Sequence, residues 1–315
     1  MNTPLVTVLM AVHNGVPYLR TAIDSILRQT YPNFEFIIID DASTDTSSWQ
    51  IASCRDSRIR LFSNIHKLRL AGSLNRGLQS ARGKYIARMD ADDICHPARL
   101  AKQVAFMEEH PDIGVCGTWL VCFGEKNQLW DYAVDPEIIL CNLLFQNQLA
   151  HATVMMRREW MLDNSLYYNP EFIESEDYEL WARFSEHFAL ANLPEVLYMY
   201  RWHQKQASQA RMDEQYGYAR LVALRQLKKI GLRPSEEELK IHLMFSTGIN
   251  YTSYGFINGA RLWLQKIYQA NLRRSYYPQS VFTKVLEQRW KKICHKAGLS
   301  YSPLISFAGM NSSRY

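Results

Sequence analysis

The sequence lacks any apolar run of about 18 residues, so it has no segment of the kind that crosses a membrane as a helix. Its first residues, Met1-Asn2-Thr3-Pro4, lack the basic region with which a secretory signal begins. The 6 cysteines show neither Cys-x-x-Cys pairs nor a spacing typical of structural zinc. We therefore expect a cytoplasmic protein whose cysteines are reduced and lie mostly in the core.

Several motifs of common cofactor and catalytic sites are missing as well. No Gly-x-Gly-x-x-Gly follows a predicted strand, which removes support for a dinucleotide-binding site. The P-loop of nucleoside triphosphatases is absent, and so is the Gly-x-Ser-x-Gly turn of serine hydrolases. These absences argue against a Rossmann dinucleotide-binding enzyme, a P-loop nucleoside triphosphatase and a serine hydrolase with the Gly-x-Ser-x-Gly turn.

The composition is that of a folded protein, but its charge is unevenly distributed. Hydrophobic residues make up 47% and charged residues 21% of the 315 residues, which excludes wholesale disorder. Residues 1–210 hold 19 Lys and Arg against 25 Asp and Glu, whereas residues 211–315 hold 17 against 6. The basic part can face lipid headgroups, nucleic acid or a charged glycan, or it can be a solvated helical surface. Because it contains none of the motifs of common DNA and RNA readers, we expect no nucleic acid partner.

Strand and helix patterns alternate through the first 210 residues. Short β-branched runs predict buried strands, and apolar residues at helical spacing lie between them. This alternation predicts an α/β fold: a doubly wound, mostly parallel sheet with helices on both faces. From about residue 210 the pattern changes to long helices, so we expect one domain over residues 1–210 and a C-terminal helical region over residues 211–315. The predicted strands are Leu5–Val12, Phe34–Ile39, Ile59–Phe62, Tyr85–Met89 and Pro194–Tyr200.

Acidic clusters follow two of these strands, at the carboxyl ends where sheets of this kind bind ligands. The two carboxylates of Asp90-Ala91-Asp92 suit Mn²⁺ or Mg²⁺ shared with a substrate phosphate. The alternative is a helix cap, a role that we assign to Asp93. Asp41 can accept a hydrogen bond from a uracil ring or a ribose hydroxyl, while Ser43–Asp45 can cap the next helix.

Two further segments carry charged residues in a regular pattern. An acidic run, Glu174–Trp181, opens a predicted helix, where a carboxylate can serve as a general base or simply complement the helix dipole. Arg201, His203 and Lys205 alternate after a predicted strand, so they can point to one face. There they can bind phosphates or complete a metal shell.

Eight segments carry a shared pattern when they are taken in order: Val6–Gly15, Ile39–Asp45, Leu74–Leu78, Ala81–Tyr85, Met89–Asp93, His151–Arg157, Ser175–Trp181 and Tyr200–His203. Together they resemble family 2 of the inverting glycosyltransferases, whose catalytic domain has the GT-A fold. The resemblance covers roughly residues 4–210 and does not extend over residues 211–315. One departure is His13, where many members have tyrosine, although an imidazole can also stack on uracil.

The resemblance implies a nucleotide-sugar donor, with a UDP-sugar in first place. Asp41 would bind the uracil, Asn75 would help shape the donor pocket, and Asp90 would contact the ribose or the sugar. Asp92 would ligate Mn²⁺ or Mg²⁺ on the diphosphate, in a shell that His203 can join. Asp177 would deprotonate the acceptor hydroxyl, and the product bond would be inverted without a covalent intermediate. Further implied donor contacts are Val12, His13, Asn14 and Ala91, and further implied phosphate or acceptor contacts are Arg201, Lys205, Glu176 and His151.

We therefore expect a metal-dependent inverting glycosyltransferase with a glycan or lipid-linked acceptor, in cell-surface polysaccharide or lipopolysaccharide biosynthesis. Residues 211–315 would dock on an anionic membrane at its inner face, or instead cover the sheet or join copies of the chain. Two alternatives come from other classes. A non-catalytic module that binds sugar nucleotides or glycans would need a broken metal or base motif. A sugar nucleotidyltransferase would need a Gly-rich basic loop, which Ala11–Tyr18 does not provide.

Overall fold

The computed structural model describes residues 5–203, 212–247 and 253–305. Lys205, one of the predicted contacts, lies outside these ranges. The described residues of the first part form a nine-stranded sheet with helices between its strands. The strands are β1 Val6–Val12, β2 Phe34–Asp40, β3 Ile59–Ser63, β4 Tyr85–Met89, β5 Ile94–Cys95, β6 Ile113–Gly124, β7 Gln128–Trp130, β8 Met155–Arg157 and β9 Ala189–Trp202.

The order of the strands creates a crevice at one edge of the sheet. β1 pairs in parallel with β2 and β4, and β3 continues the sheet beyond β2. The sheet then runs through β8, β6, β9 and β5, with β9 parallel to β6 and β7 attached to β6. Because the chain moves outward to β3 and returns across β1 to β4, the carboxyl ends of β1 and β4 flank the point where ligands bind in such sheets. The predicted α/β fold with its largely parallel sheet is confirmed.

The helices follow the apolar periodicity of the sequence. In α1 the buried residues include Leu19, Ala22, Ile23 and Ile26, which share one face of the helix. The described helices are α1 Leu19–Leu27, α2 Ser47–Ala52, α3 Arg69–Ser80, α4 Arg99–Glu109, α5 Pro136–Asn142, α6 Arg158–Asp163, α7 Glu176–Phe184, α8 Met212–Lys229, α9 Glu236–Thr247, α10 Tyr254–Arg274 and α11 Gln279–Lys296, with a 3₁₀ turn at His151–Thr153. None of them is both long and apolar enough to span a bilayer.

The strands around β1 are tightly packed, and the turn that leads into β4 lies against the backbone of β1. β2 is buried at each of its seven positions, as expected of a strand covered on both faces. Thr7 in β1 donates to Glu35 Oε1 at 2.7 Å and accepts from the backbone N–H of Gly83 at 2.9 Å. A Cβ atom at Gly83 would lie 2.4 Å from the backbone nitrogen of Thr7. Only glycine therefore fits the turn that leads into β4.

The prediction that Asp93 caps a helix is wrong. The two-residue strand β5 follows it directly, and α4 begins only at Arg99. Asp93 is 1% exposed, and its Oδ1 accepts a hydrogen bond from the backbone N–H of Arg201 at 2.7 Å. A strand of two residues leaves no periodic pattern in the sequence, so Asp93 looked like the start of the next helix.

The chain divides into two compact units. The first comprises the residues up to Pro136 together with Asn147–Tyr218, and the second comprises Glu137–Gln146 and the residues from Ala219 onward. The domain boundary that we predict at residue 210 remains a prediction. In the second unit, His242 Nε2 donates to Leu144 O at 2.9 Å and His242 Nδ1 accepts from Trp263 Nε1 at 3.2 Å. Burial lowers the pKa of His242 to about 4, so this neutral imidazole anchors the segment 137–146 in the helical core.

Candidate active site

The acidic turn after β4 is fixed by the last residues of β9. The backbone N–H of Asp90 donates to Tyr198 Oη at 3.1 Å. Arg201 Nε donates to the carbonyl oxygen of Asp92 at 2.7 Å, and the backbone N–H of Arg201 donates to Asp93. Residues about 108 positions apart in the chain therefore hold the turn in place. This arrangement leaves the side chains of Asp90 and Asp92 directed away from the sheet, toward the cavity that they line.

Asp92 and His203, the two predicted metal ligands, lie next to each other. Asp92 Oδ2 and His203 Nε2 are 3.2 Å apart, and both side chains are partly exposed. Burial and the neighbouring Asp90 raise the pKa of Asp92, while the hydrogen bond with His203 opposes the rise. The ring of Tyr18 lies 5.6 Å from the imidazole. Among the residues that the structure describes, no group of three or more His, Cys, Asp or Glu side chains is placed to hold a metal ion.

A cavity of about 470 Å³ opens beside this turn. Its wall brings the turn together with the first turn of α7, although the two are more than 80 residues apart in the chain. The carboxyl groups on the wall belong to Asp90, Asp92, Glu174, Glu176 and Asp177. Other residues on the wall are Arg88, Trp130, Tyr132, Asn147, His151, Tyr200, Trp202 and Gln215. The cavity therefore has the acidic and polar lining that a charged or hydroxyl-rich ligand requires.

Asp177 is held in a defined orientation on the cavity wall. Its Oδ2 accepts from Asn147 Nδ2 at 2.7 Å and its Oδ1 accepts from the backbone N–H of Tyr178 at 2.7 Å. Burial raises the pKa of Asp177 to about 6, against the opposing effect of these hydrogen bonds and of Arg88. A carboxylate with a pKa near 6 is ionised at neutral pH and still basic enough to accept a proton.

Glu176 lies on the same wall but in a different protonation state. It is 6% exposed, and burial together with the charge of Asp177 raises its pKa to about 8. Adjacent helix residues point about 100° apart, yet Glu176 and Asp177 both line the cavity. At neutral pH the pair therefore consists of an ionised Asp177 and a protonated Glu176.

Arg88 supplies the positive charge at the centre of this acidic cavity. Its guanidinium pairs with the carboxylate of Asp90, and the residue is 3% exposed. Burial disfavours its charged form more than any other single influence, but the charge and hydrogen bond of Asp90 together with Tyr198 and Tyr168 outweigh burial and raise the pKa of Arg88. The same guanidinium lowers the pKa values of Asp177 and His151. It thereby favours an ionised Asp177 and a neutral His151.

The family of the chain follows from its similarity to known proteins. The sequence model described as "Glycosyl transferase family 2" matches residues 7–167, which is half of the chain. An uncharacterized glycosyltransferase of Haemophilus influenzae is 35% identical over 248 residues, covering 73% of this chain and 77% of the relative. The chain belongs to glycosyltransferase family 2.

Other members of the family act in polysaccharide assembly. A relative from Escherichia coli, the UDP-Glc:alpha-D-GlcNAc-diphosphoundecaprenol beta-1,3-glucosyltransferase WfgD, is 31% identical over 182 residues, which is 58% of this chain and 70% of that protein. The chain is a glycosyltransferase related to enzymes that build O-antigen and act on lipid-linked glycans.

Solved structures of glycosyltransferases share the fold of this family 2 chain. Staphylococcus aureus TarS 1–349 in complex with UDP-GlcNAc aligns with a TM-score of 0.63 at 17% identity, covering 94% of this chain and 93% of TarS. The mannosyltransferase PcManGT of Pyrobaculum calidifontis, in complex with GDP-Man and Mn²⁺, aligns with a TM-score of 0.57 at 15% identity, covering 94% and 87%. These likenesses support the GT-A-type fold.

The residues predicted to hold the nucleotide in this glycosyltransferase lie at the ends of β1 and β2, outside the cavity wall described above. Asp41 is 3% exposed, and its Oδ1 accepts from Asn64 Nδ2 at 2.6 Å and from the backbone N–H of Leu68 at 2.7 Å. His13 Nδ1 lies 2.8 Å from the carbonyl oxygen of Asp41, and Asn14 Oδ1 accepts from the backbone N–H of Thr44 at 2.8 Å. These contacts shape the loops at the crevice between the two strands.

The other predicted donor and acceptor residues divide into core and wall positions. Val12 is buried in the main hydrophobic core and Ala91 packs against it, so their side chains support the site rather than line it. His151 is half-buried on the cavity wall, where desolvation keeps its pKa well below the usual range and its Nε2 lies 2.9 Å from Tyr168 Oη. Asn75 does not reach the cavity: its amide brackets the backbone of Tyr168, with bonds of 2.8 and 2.9 Å.

Sequence reasoning missed two polar residues of the family 2 site. Arg88 was counted within an apolar strand, although a single charge in a buried run, two residues before an acidic turn, is a usable signal. Asn147 lies in a stretch without a recognisable motif, and nothing in the sequence indicates that it bonds to Asp177. Such a contact arises only from the packing of distant segments.

Proposed function

We propose that this chain catalyses a metal-dependent, inverting transfer of a sugar from a UDP-sugar to a hydroxyl group of a glycan or lipid-linked acceptor. The observation that supports it is the shared cavity, which brings the Asp90-Ala91-Asp92 turn and Asp177 to one wall. A donor diphosphate and an acceptor hydroxyl need two different carboxylate sites within one ligand's length. The cavity offers both.

Relatives and structural neighbours support the choice of donor. The name of WfgD specifies UDP-Glc, and TarS has been solved with UDP-GlcNAc. In this chain Asp41 is the carboxylate at the crevice between β1 and β2, with the ring of His13 beside it. We assign the uracil to these two residues and the ribose or sugar to Asp90.

The donor set at Asp92 and His203 suits a divalent cation. A carboxylate oxygen and an imidazole nitrogen are ligands that Mn²⁺ accepts, and Mg²⁺ is commonly bound through one or two carboxylates plus substrate phosphates. A pair of protein ligands fits a metal whose other ligands are water and diphosphate oxygens. Such a cation, when bound, offsets the negative charge that develops on the leaving UDP.

Asp177 is the residue that we assign to the acceptor. Its carboxylate takes the proton of the acceptor hydroxyl while the hydroxyl oxygen attacks the anomeric carbon. The bond between that carbon and the diphosphate breaks, and UDP leaves with the electron pair. Because a single displacement occurs on the face opposite the leaving group, the configuration inverts. Asn147 and the backbone N–H of Tyr178 keep the carboxylate oriented for this step.

Our proposals for the acceptor and for the cellular location of the enzyme rest on its relatives and on its charge distribution. The name of WfgD describes a diphosphoundecaprenol-linked acceptor. Residues 211–315 carry 17 Lys and Arg against 6 Asp and Glu, which favours contact with an anionic membrane surface. We therefore place the reaction at the cytoplasmic face of a membrane, in cell-surface polysaccharide biosynthesis.

A direct test measures UDP release from a panel of UDP-sugars with Mn²⁺, Mg²⁺ or chelator. We expect metal-dependent release in the wild type, loss of metal-dependent UDP binding in Asp92→Ala, and a rate at least about 100-fold lower in Asp177→Asn with UDP affinity unchanged. Asp112→Asn, an exposed carboxylate before β6, serves as the control. Pyrophosphate release from UTP would identify a nucleotidyltransferase instead, and donor binding without any turnover would identify a binding module.

A further inference from the structure

One wall of the cavity is aromatic, and none of the roles assigned so far uses it. Side chains alternate along a strand, so Tyr198, Tyr200 and Trp202 share one face of β9. Tyr198 supports the acidic turn, while Tyr200 and Trp202 continue the row into the cavity. Trp130 lies on β7, which like β9 pairs with β6, and it lines the same cavity.

The rings of this wall are arranged against one another. The ring of Trp130 stacks on Tyr200 with centroids 5.6 Å apart and planes inclined by 29°. Trp202 meets Trp130 edge-on at 6.2 Å, and Lys126 Nζ lies 3.8 Å from the centre of the Trp202 ring. Mutual packing of this kind fixes the rings before any ligand arrives.

The segment that carries the wall is also anchored to the sheet. Trp119 Nε1 donates to the carbonyl oxygen of Tyr132 at 2.8 Å, and Asn192 Nδ2 donates to the carbonyl oxygen of Ala133 at 2.7 Å. Trp130, Tyr200 and Trp202 nevertheless remain only partly buried on the cavity side. A rigid aromatic surface that the protein leaves partly uncovered is suited to a ligand.

The surroundings of the rings indicate which ligand. The C–H groups on one face of a pyranose carry slight positive charge and pack on the negative face of an aromatic ring. The hydroxyl groups around the same sugar need acceptors, and carboxylates on the cavity wall supply them. An acyl chain would find these carboxylates unfavourable. A nucleobase is assigned elsewhere, since Asp41 and His13 lie outside this wall.

We propose that Trp130, Tyr200 and Trp202 form a subsite for a pyranose ring of the acceptor. This inference rests on the proposed function, because it is the position of Asp177 on the same cavity wall that makes the bound sugar the acceptor. Tyr132, two residues from Trp130, lines the same cavity as Asp177. The proposed subsite and the proposed base therefore face one cavity.

The experiment uses methyl pyranosides of glucose, galactose, mannose and N-acetylglucosamine as probes, with the full chain, UDP and Mn²⁺. Saturation-transfer NMR reports which ring protons touch the protein, and titration gives Kd. We expect at least one pyranoside to bind through the protons of one ring face. Trp130→Ala should weaken its binding by about tenfold and Trp130→Phe by about threefold, because phenylalanine keeps a ring. UDP affinity should not change.

Controls separate this subsite from the rest of the proposal. Trp49→Ala removes a tryptophan that is 72% exposed on α2 and should leave pyranoside binding at the wild-type value. Unchanged pyranoside affinity in Trp130→Ala, or absence of binding by any probe to a wild type that still releases UDP from UDP-sugars, would overturn the subsite alone. A fall in UDP affinity in Trp130→Ala would place the rings in the donor site and overturn it too. A wild type that neither binds UDP nor cleaves UDP-sugars would refute the proposed function itself.

Discussion

Asn147 provides the sharpest test of how the cavity sets the basicity of Asp177. Burial raises the pKa of this carboxyl, and the hydrogen bond from Asn147 Nδ2 is one of the contacts that limit the rise to about 6. Asn147→Ala removes the donor and leaves the other contacts of Asp177 in place. The pKa should therefore move upward, and the acidic limb of the rate profile should move with it.

The size of the shift follows from the strength of the bond. A hydrogen bond to a charged group is worth at least about 1.5 kcal/mol, which corresponds to roughly one pKa unit. The apparent pKa of kcat/KM should rise from about 6 to about 7. At pH 6 the ionised fraction of Asp177 then falls from about a half to about a tenth, so the rate falls roughly fivefold. Near pH 9 the variant should recover most of its activity.

UDP release measured between about pH 5 and pH 9 tests this reasoning. Asn147→Asp keeps the shape of the side chain but places a second carboxyl group 2.7 Å from Asp177, and its shift should exceed that of the alanine variant. Asn164→Ala, which removes an amide bonded to the carbonyl oxygen of Trp160, is the matched control. An equal loss of rate at every pH, with the acidic limb unmoved, would refute the electrostatic role of Asn147.

Three further outcomes can be measured. Glu176 has a pKa raised from 4.5 to about 8, so the folded state holds its proton longer than the unfolded state and loses stability as pH rises from about 5 to 8. Glu176→Gln should remove that slope and gain up to about 4 kcal/mol relative to wild type at pH 8 and almost nothing at pH 4, as chemical denaturation can show. Gly83→Ala should lower unfolding free energy by about 1–3 kcal/mol, because its Cβ would strike the backbone of Thr7; unchanged stability would contradict the close approach. The chain should float with anionic liposomes at low salt and release at high salt, since each basic residue near the bilayer contributes about 1 kcal/mol; flotation that ignores salt would argue against electrostatic docking of residues 211–315.

Much of the fold could be predicted from the sequence because the strands of the sheet are buried and rich in β-branched residues. The runs that became β1, β2 and β4 are continuous and apolar, and the acidic residues that follow them mark carboxyl ends. The family resemblance implied that Asp92 and His203 share one metal site, and in the structure Asp92 Oδ2 lies 3.2 Å from His203 Nε2. Hydrophobic periodicity and the polar residues that end the strands therefore predicted the strands and the position of the acidic turn.

The rest depends on packing that no local pattern shows. Asp93 was misassigned because β5 is too short to leave a period, and its real partner, Arg201, lies 108 residues away. The segment Glu137–Gln146 belongs to the second unit although residues on both sides of it belong to the first. Its membership is decided by contacts such as that between Leu144 and His242. Contacts between segments so distant in sequence cannot be read from periodicity.

The attachment of the acidic turn to β9 has a consequence for how the enzyme is made. The turn is synthesised early, yet Tyr198 and Arg201, which hold it, leave the ribosome about a hundred residues later. The region matched by the family model ends at residue 167, before both Asp177 and β9. A nascent chain of that length carries the loops that we propose for the nucleotide, without the strand that holds the acidic turn and without the proposed base. We therefore expect catalytic competence only after β9 has emerged, and we expect a fragment that ends at residue 167 to be inactive.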